Sequence, residues 1–252
     1  MFHFANTRYN RQENMPEWGK ERQAMLRKAK VTVIGAGGVK STLLMALAAG
    51  GIGNIKIVEF DKVELSNLNR QILYRTPDIG KPKGARALHT LKDLNPQVSI
   101  EWINDKIDRK NIFKHLNDAD FIVEGGDAPA GRNLVNEFCL EYKKPFVHAS
   151  AQFNYGYVFS VVPEDKTACF ACFFPKDHTR RRSTGAVPVS VLSTELAGTL
   201  GAAEVFKWFL GYRDKLIVNK RLCFSSLILS ERFQYLEQSR RKKCPVCSRY
   251  YK

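Results

Sequence analysis

The sequence predicts an α/β fold in which a doubly wound, mostly parallel sheet is continued by antiparallel strands. In the first half, nearly continuous apolar segments alternate with segments of helical periodicity, a pattern typical of parallel strands covered by helices on both faces. A glycine-rich turn at residues 35–38 joins the first apolar segment to a helix. In the second half, polar residues alternate among aromatic ones, which favours antiparallel strands.

The first half begins with an amphipathic helix, predicted over residues 15–30, that leads into a strand at residues 31–37. The next helix covers residues 41–51 and ends in a pair of glycines, because glycine readily adopts the left-handed conformation that terminates a helix. The remaining predicted elements are strands at residues 54–61, 98–105 and 119–127, a helix at residues 81–95 and a short helical stretch before the last strand.

The second half changes character. Strands are predicted within residues 145–162, a long helix over residues 190–212 and a closing pair of strands within residues 215–230. The long helix carries small residues along one stripe, which suits close packing against a neighbour. Residues 176–188 lack periodicity and are predicted to form a mobile loop. With no internal repeat and no low-complexity linker, the chain reads as one continuous domain.

The charge balance is strongly basic, since the 252 residues carry a formal net charge of +15 at pH 7. Basic side chains cluster at residues 178–183 and 239–252, and such patches attract nucleic acid, attract an acidic protein or only keep a chain in solution. Nucleic acid is disfavoured, because no element carries the basic and aromatic pattern of a known reader. No apolar segment reaches the roughly 18 residues that a membrane span needs, and the N-terminus lacks the apolar core of a secretory signal. We therefore expect a cytoplasmic protein that does not engage a membrane.

Four of the six cysteines form two C-x-x-C pairs, Cys169 with Cys172 and Cys244 with Cys247. In a reducing compartment such pairs indicate a tetrahedral zinc site rather than disulfides, with a redox pair or unrelated cysteines as alternatives. Four thiolates would leave no open position for a substrate, so this zinc would be structural. It would hold the C-terminal tail against the middle of the chain.

A phosphate cradle is indicated by residues 31–41, VTVIGAGGVKS, where a strand passes through glycines into a helix. Lys40 breaks both familiar motifs, because a dinucleotide fingerprint has a third glycine there and an ATPase P-loop has a glycine in place of Val39. A polar run, DKVELSNLNRQILY at residues 61–74, follows the second strand, and GKPKGARA follows at residues 80–87. A plain dehydrogenase has no need of such a polar run. The run indicates an anion that is bound more firmly than a pyrophosphate at the end of a helix.

Together with EGGD at residues 124–127 and the cysteine pairs, these stretches closely resemble the ThiF/MoeB/HesA family of adenylyltransferases, the bacterial relatives of ubiquitin-activating enzymes. The resemblance covers nearly the whole chain and implies a Rossmann-like sheet with a zinc-pinned C-terminal extension. It also implies an activity, the ATP-dependent activation of the C-terminal carboxylate of a small ubiquitin-like sulfur carrier protein ending in Gly-Gly. The product would be an acyl adenylate, with release of pyrophosphate.

The resemblance also assigns roles to single residues. Backbone amides at the three glycines of the turn would approach the nucleotide phosphates, Glu59 would take the ribose hydroxyls, and Asp61 falls about where a dinucleotide fold places a ribose ligand. The residues implied to bind ATP are Gly35, Gly37, Gly38, Lys40, Glu59, Asp61, Asn67 and Gln71, and those implied to be catalytic are Arg70, Lys83, Asp127 and Arg11.

The implied cofactors are ATP, Mg²⁺ and Zn²⁺. Arg70 and Lys83 would neutralise charge as pyrophosphate departs, and Asp127 would hold Mg²⁺ and orient the α-phosphate. Such cations are needed because a carboxylate must attack a phosphate, so two anions have to meet. Arg11 matches the family's arginine that reaches into the partner subunit's ATP site, which implies a homodimer with shared sites.

The domain organisation follows from the same resemblance. Residues 1–252 are predicted to form a single adenylation domain, with an N-terminal arm and helix at residues 1–29. Residues 30–127 form the predicted nucleotide-binding half, and residues 128–252 form the predicted carrier-binding half with the four-cysteine zinc site.

Several of these residues have a purely structural alternative. Arg70 could make a surface ion pair, Lys83 could be a solvated loop lysine, and Asp127 could cap a helix at the end of a strand, which is compatible with metal binding. His148 is interpreted as a packed histidine at a strand end rather than as a functional group.

Three departures from the family pattern limit the comparison. Lys40 would either add a cation to the phosphate site or crowd it, and we expect ATP to bind in both cases because the glycines are retained. Ala128 stands where relatives often have asparagine. The loop after the first cysteine pair contains no cysteine, where relatives that form a thioester or persulfide place one; Ser183 and Thr184 lie there instead, and a hydroxyl is a poor substitute.

Alternatives to a sulfur-carrier enzyme remain at this point. One is an adenylating enzyme that modifies a ribosomal peptide in natural-product biosynthesis, which suits the missing loop cysteine. Another is a non-catalytic nucleotide-binding scaffold, although the retained cations and acid argue against decay of the site. An NAD-dependent oxidoreductase is disfavoured, because the third glycine and any evident hydride-transfer partner are lacking.

Overall fold

The architecture is an α/β sheet covered by helices on both faces. A computed structural model describes residues 7–125, 129–175, 187–227 and 233–251. The strands are β1 Lys30–Ile34, β2 Asn54–Val58, β3 Ser99–Ile103, β4 Phe121–Glu124, β5 Phe146–Gln152, β6 Tyr155–Val161, β7 Lys220–Ser225 and β8 Gln234–Glu237. The helices are α1 Asn10–Glu13, α2 Gly19–Lys28, α3 Gly38–Gly50, α4 Lys83–Leu94, α5 Ile112–Leu116, α6 Pro129–Glu141, α7 Phe170–Phe173 and α8 Val191–Phe209.

The strand order confirms the predicted fold class. The sheet has eight strands in the order β3-β2-β1-β4-β5-β6-β7-β8. The first five strands pair in parallel, with Val31 of β1 opposite Ile55 of β2 and Phe121 of β4. The last three strands pair antiparallel. Because the chain leaves β1 on one side and returns through β4 on the other, the carboxyl ends of these two strands flank the crevice in which open α/β sheets bind ligands.

Apolar residues on both faces of the central strands make this arrangement stable. Val31 and Phe121 are buried on one face and Ile122 is buried on the other, as expected for parallel strands that are covered on both sides. One hydrophobic cluster joins β1 and β2 to α3 and α8, and a second joins β5 and β6 to α6, α7 and the C-terminal cysteines. The C-terminal tail, which the sequence predicted to be held by zinc, is therefore part of the second core.

Helices α3 and α8 pack closely, as the stripe of small residues predicted. A Cβ atom at Gly198 would lie 2.4 Å from the carbonyl oxygen of Val39, and one at Gly201 would lie 3.0 Å from Cδ1 of Leu43. No larger residue fits at Gly198 without moving the main chain of α3. This contact matters for function because α3 begins at the glycine turn.

Two elements differ from the predictions. The helix predicted over residues 15–30 is shorter in the structure, where α2 begins only at Gly19, whose φ of +73° changes the chain direction ahead of the helix. The short helix α1 lies before the predicted range and was not predicted. The closing strand pair predicted within residues 215–230 is half right. β7 lies there, whereas its partner β8 is Gln234–Glu237 and residues 228–232 lie outside the described part of the chain.

Among the described residues, no helix is both long enough and apolar enough to cross a membrane. This agrees with the apolar segments of the sequence, which are broken by polar residues before they reach spanning length.

Candidate functional site

A cavity of about 650 Å³ opens at the carboxyl ends of the parallel strands. It lies where the strand order reverses, as expected for a ligand site in a doubly wound sheet. Most of the residues that the sequence analysis assigned to ATP meet in this cavity. Those that line it are Gly35, Gly37, Gly38, Lys40, Glu59, Asp61, Arg70, Gln71 and Lys83.

The glycine turn forms one wall of the cavity. Gly35 has a φ of +88°, a conformation that favours glycine, and its amide donates to the carbonyl of Val58 at 2.9 Å. Gly37 is the N-cap of α3, and a Cβ atom at Gly38 would lie 3.0 Å from Cγ2 of Thr194. The 13-residue helix α3 therefore points its N-terminus at the cavity. Unpaired amides and the helix dipole make such a terminus suitable for a phosphate.

The carboxylate of Glu59 accepts hydrogen bonds from the glycine turn and from the end of β2. One carboxylate oxygen accepts the amide of Ala36 at 2.7 Å, and the other accepts the amides of Phe60 and Asp61 at 2.8 Å each. Glu59 is buried, so these three hydrogen bonds hold β1 and β2 in register at the point where the cavity begins. The family resemblance assigned Glu59 to the ribose, and its hydrogen bonds to backbone amides were not predicted.

We expect Glu59→Gln to lower the free energy of unfolding by about 1–3 kcal/mol, because a side-chain NH₂ would face buried backbone N–H groups and leave one without an acceptor. Urea denaturation measures this change. Glu101→Gln in β3, at an exposed carboxylate, is the matched control and should change stability by less than about 0.5 kcal/mol. Equal stability of the wild type and the Glu59 variant would contradict the role of these hydrogen bonds.

Two cationic residues face the cavity, Arg70 from the polar run and Lys83 from the start of α4. Lys83 begins α4, is buried, and its Nζ lies 3.6 Å from Oδ2 of Asp61. Arg70 is held by its own turn, since Nη1 donates to the carbonyl of Ser66 and to Oδ1 of Asn69 at 2.8 Å each. Both charges are therefore fixed in place before any anion arrives, which lowers the reorganisation needed during a reaction.

Gln71 has a buried side-chain oxygen that a ligand could hydrogen-bond. It is buried, and its Oε1 atom has no hydrogen-bond partner among the described residues. Its amide nitrogen would lie 3.9 Å from a Cβ atom at Gly37, so the side chain borders the glycine turn. Buried acceptors are normally satisfied. A donor on a bound molecule would satisfy this one.

Asn67 does not line the cavity. Its Oδ1 atom accepts the amide of Glu64 at 3.1 Å, and together they form the capping box of the one-turn helix Leu65–Asn67. Its contribution is to shape the turn that carries Arg70 and Gln71. A direct ATP contact by Asn67 stays a prediction.

Tyr74 is hydrogen-bonded to the main chain of the glycine turn. Its hydroxyl donates to the carbonyl of Ala36 at 2.7 Å, within the glycine turn. Burial raises the pKa of Tyr74 far above its usual value, and the nearby carboxylates of Glu59, Asp61 and Asp78 raise it further. The phenol therefore stays protonated and keeps donating to the turn.

Several lining residues escaped the sequence analysis. Asp105, Lys106 and Ile107 follow β3 and reach the same edge of the sheet, while Ser150 comes from β5 and Thr194 from α8. Asp105 was the one with a usable signal, because it follows an apolar strand as Glu59 and Asp61 do. Ser150 and Thr194 lie in unrelated stretches that only the fold brings together.

Two predicted catalytic residues are not among the described residues that line the cavity. Asp127 lies outside the described residues, as do Ala128, Ser183 and Thr184. Arg11 belongs to α1, where it is exposed and does not line the cavity of its own chain. The roles of Asp127 and Arg11 stay predictions.

The four paired cysteines form one buried cluster. Sγ of Cys169 lies 3.9 Å from that of Cys172 and 3.8 Å from that of Cys244, and Sγ of Cys172 lies 3.7 Å from that of Cys247. All four ligand atoms lie within 4.8 Å of one another. Four sulfurs at about 2.3 Å from a tetrahedral Zn²⁺ would be about 3.8 Å apart, so the spacing fits zinc.

Comparisons with known proteins agree with this geometry. The ThiF family model matches residues 9–246. A sulfur carrier protein adenylyltransferase from Thermus thermophilus is 35% identical, covering 95% of this chain and 90% of the relative. A SAMP-activating enzyme E1 from Haloferax volcanii is 32% identical, covering 95% and 88%.

Solved structures show the same fold. Escherichia coli MccB with MccA-N7isoASN matches with a TM-score of 0.86 at 25% identity, covering 97% of this chain and 75% of that one. MccB with ATP matches with a TM-score of 0.82 at 26% identity, covering 96% and 74%. The predicted fold and the predicted enzyme class, adenylyltransferase, are confirmed. The family model, the relatives and the shared fold together show that the chain belongs to the ThiF family.

Proposed function

We propose that the protein is an ATP-dependent adenylyltransferase that activates the C-terminal carboxylate of a small ubiquitin-like sulfur carrier protein ending in Gly-Gly. The observation that carries this proposal is the cavity in which the N-terminus of α3 meets Arg70 and Lys83. The relatives named as a sulfur carrier protein adenylyltransferase and a SAMP-activating enzyme support the choice of a carrier protein as substrate.

The reaction joins two anions, and the cavity supplies opposing charge. A carboxylate oxygen of the carrier attacks the α-phosphorus of ATP, the bond from that phosphorus to the bridging oxygen breaks, and pyrophosphate leaves with the electron pair. Amides of the glycine turn would hold phosphate oxygens. Arg70 and Lys83 would stabilise the charge that develops on the leaving pyrophosphate.

Magnesium and zinc complete the proposal. Asp127 would hold Mg²⁺, which when bound screens phosphate charge and acts as a Lewis acid. Zn²⁺ would be held by Cys169, Cys172, Cys244 and Cys247 in a closed site with a structural role. The spacing of the four sulfurs supports the zinc assignment.

The division of labour within the chain is part of the proposal. We place nucleotide binding in residues 30–127 and carrier binding in residues 128–252, within one adenylation domain that also includes the arm at residues 1–29. In support, the cavity is lined by Gly35 and Lys83 from one half and by Ser150 and Thr194 from the other. The carrier tail would enter from the side of the second half.

A peptide substrate is the second candidate. Several solved structures with the same fold are of MccB with MccA or ATP, and the cysteine-free loop after the first pair suits a peptide-modifying enzyme. The chemistry at the α-phosphate would be the same, so the choice depends on the acyl substrate alone.

Pyrophosphate–ATP exchange tests the function directly. The purified protein is incubated with ATP, Mg²⁺ and labelled pyrophosphate, together with one carrier ending in Gly-Gly or one candidate peptide. Exchange that depends on a carrier supports the proposal, and exchange that depends on a peptide supports the second candidate. If no carrier and no peptide supports exchange, the remaining interpretation is a non-catalytic nucleotide-binding scaffold.

The absence of a loop cysteine leads to a prediction about the intermediate. We expect mass spectrometry of enzyme, carrier and ATP to show carrier adenylate and no reducible covalent adduct of carrier and enzyme, because a hydroxyl without an activating base is a weak nucleophile. The adenylate would pass to sulfide, a persulfide or an amine from another molecule. An adduct that a thiol reagent removes would contradict this expectation.

A shared active site in a homodimer predicts complementation between two inactive variants. Arg11→Ala lacks the arm residue, and Lys83→Met lacks a residue of the cavity. In a mixed dimer, the cavity of the Arg11 variant would receive an intact arm from its partner, so exchange activity should recover to about a quarter of the wild-type value after statistical mixing. If Arg11 serves its own chain, or the protein is monomeric, mixing will restore nothing.

A further inference from the structure

The described part of the N-terminal arm, residues 7–14, is docked on the rest of its own chain through buried groups. Tyr9 is 4% exposed, and its hydroxyl accepts a hydrogen bond from Nδ2 of Asn95 at 2.8 Å. The same nitrogen donates to the carbonyl of Ala48 at 2.6 Å, and Asn95 is fully buried. A Cβ atom at Gly51 would lie 2.7 Å from Cε1 of Tyr9, so the ring rests directly on the end of α3. Asn95 therefore joins the arm to α3 through one amide group.

Two further side chains of the arm bind the ends of helices. Nε2 of Gln12 donates to the carbonyl of Gly50, the last residue of α3, at 2.9 Å. Nη1 of Arg8 donates to the carbonyl of Leu94, the last residue of α4, at 2.9 Å. Carbonyls in the last turn of a helix lack the N–H partners available inside it, so the arm satisfies acceptors that would otherwise need water.

This docking site is remote from the cavity. Helices α3 and α4 begin at the cavity, with the glycine turn and Lys83, and the arm binds their opposite ends. Helix α3 has 13 residues, which makes it about 20 Å long at 1.5 Å per residue. Arg11 is exposed on α1, next to Gln12. While the arm is docked, its side chain is too short to reach a phosphate at the start of α3 in its own chain.

The docked arm therefore decides which cavity Arg11 can serve. For Arg11 to reach its own cavity, the arm would have to leave both helices, which would expose the ring of Tyr9 and break its bond to Asn95. A second copy of the chain can receive Arg11 with the arm in place. A side chain that is held in advance also loses less conformational entropy when it binds.

We propose that Asn95 and Tyr9 are positioning residues of an adenylation site shared between two copies of the chain. Their contact fixes the arm at the far ends of α3 and α4, so that Arg11 serves the cavity of the second copy and not its own. The inference rests on the proposed function, in which Arg11 is catalytic. It adds to the site two residues that do not line the cavity.

The test compares Asn95→Leu with Arg11→Ala. Leucine keeps the branched shape of the side chain but removes the amide that joins Tyr9 to Ala48. We expect kcat for pyrophosphate–ATP exchange to fall by about tenfold or more, because a small displacement of a catalytic group is costly. In the Arg11→Ala background the same substitution should change exchange by less than about twofold, since both remove one contribution. Asn117→Leu, at the exposed end of α5, is the control and should stay within about twofold of the wild type.

Mixing with Lys83→Met shows in which copy Asn95 acts. If Asn95 positions Arg11 for the second copy, the Asn95→Leu chain keeps a competent cavity, and the Lys83→Met chain supplies it with an intact arm. Exchange should then recover to about a quarter of the wild-type value after statistical mixing, as for Arg11→Ala. A mixture that shows no recovery would place the effect of Asn95 in the cavity of its own chain, and would overturn the inference.

A second variant applies if Asn95→Leu fails to fold. Tyr9→Phe combined with Gln12→Met removes the hydrogen bonds from the side of the arm and leaves Asn95 in place. The amides of residues 10–14 should exchange with solvent at least about tenfold faster than in the wild type. Activity should fall and recover on mixing as for Asn95→Leu. If this arm variant is as active as the wild type, the inference is overturned.

Arg11→Ala separates failure of this inference from failure of the proposed function. A wild-type protein without exchange, or an Arg11→Ala variant with full activity, would contradict the proposed function and the inference with it. Full activity of Asn95→Leu beside an impaired Arg11→Ala would overturn the inference alone.

Discussion

Replacing Lys83 by Met is expected to lower the rate of pyrophosphate–ATP exchange by about 10²- to 10³-fold, the loss typical when one preorganised group that stabilises developing charge is removed. Lys83 is buried at the start of α4 and faces the cavity. Met keeps most of the length and the apolar stem of the side chain but removes the cation. The loss should appear in kcat more than in the KM for ATP, because the charge on the leaving pyrophosphate is largest in the transition state.

Lys81→Met is the matched control. Lys81 lies two residues earlier, is exposed and does not line the cavity. It carries the same charge, so its variant reproduces the change in net charge without touching the site, and exchange should stay within about twofold of the wild type. If the Lys83 variant is as active as the Lys81 variant, Lys83 takes no part in the reaction.

Replacing Cys244 by Ser is expected to abolish zinc binding and to loosen the C-terminal segment from the rest of the protein. The bound metal should fall from one ion per chain to less than about a tenth, because Zn²⁺ needs all four thiolates for a closed site. The free energy of unfolding should fall by more than about 4 kcal/mol, as in other losses of a structural metal. Metal analysis and urea denaturation measure the two effects.

Hydrogen exchange locates the damage. Cys244, Val246, Cys247 and Tyr251 are buried in the second hydrophobic cluster, so their amides should lose protection while those of β1 and β2 keep it. Cys223→Ser is the control, because Cys223 lies in β7 and is not part of the cysteine cluster. If the Cys244 variant retains bound zinc and its C-terminal amides stay protected from hydrogen exchange, the cysteine cluster does not hold the C-terminal tail in place.

The parts of the site that the sequence predicted lie in continuous motifs. The glycine turn, the run with Arg70 and Gln71, and Lys83 each combine residue types that are informative at short spacing. The fold then brought these motifs to one edge of the sheet, because the carboxyl ends of parallel strands meet there. The cysteine pairs were predictable for the same reason, since each pair is a local pattern even though the cluster joins distant segments.

The parts that the sequence missed depend on contacts between separate elements. Nζ of Lys40 in α3 donates to the carbonyl of Gly125, and Nδ1 of His148 in β5 lies 2.5 Å from Oε2 of Glu124 in β4. Nothing in the local patterns of these residues indicates such contacts. The prediction that His148 is packed holds, but its partner could not be read from the sequence. Glu59 was a recognisable acid after a strand, yet its three bonds to backbone amides depend on where β1 and β2 end.

The two errors in the elements have a similar cause. The helix was predicted from residue 15 onward, because the later start of α2 at Gly19 left no trace in the amphipathic pattern. Strand β8 is exposed along its whole length and lies at the edge of the sheet. Edge strands carry little apolar alternation, which is the main sequence signal for a strand.

The central claim is that fixed cations and the amides of the glycine turn converge on the phosphates of ATP. A crystal structure with a non-hydrolysable ATP analogue and Mg²⁺ tests it most directly. We expect phosphate oxygens within about 3.2 Å of the amides that begin α3 and of the side-chain nitrogens of Arg70 and Lys83. An analogue whose phosphates lie away from α3, with Arg70 and Lys83 turned from them, would contradict it.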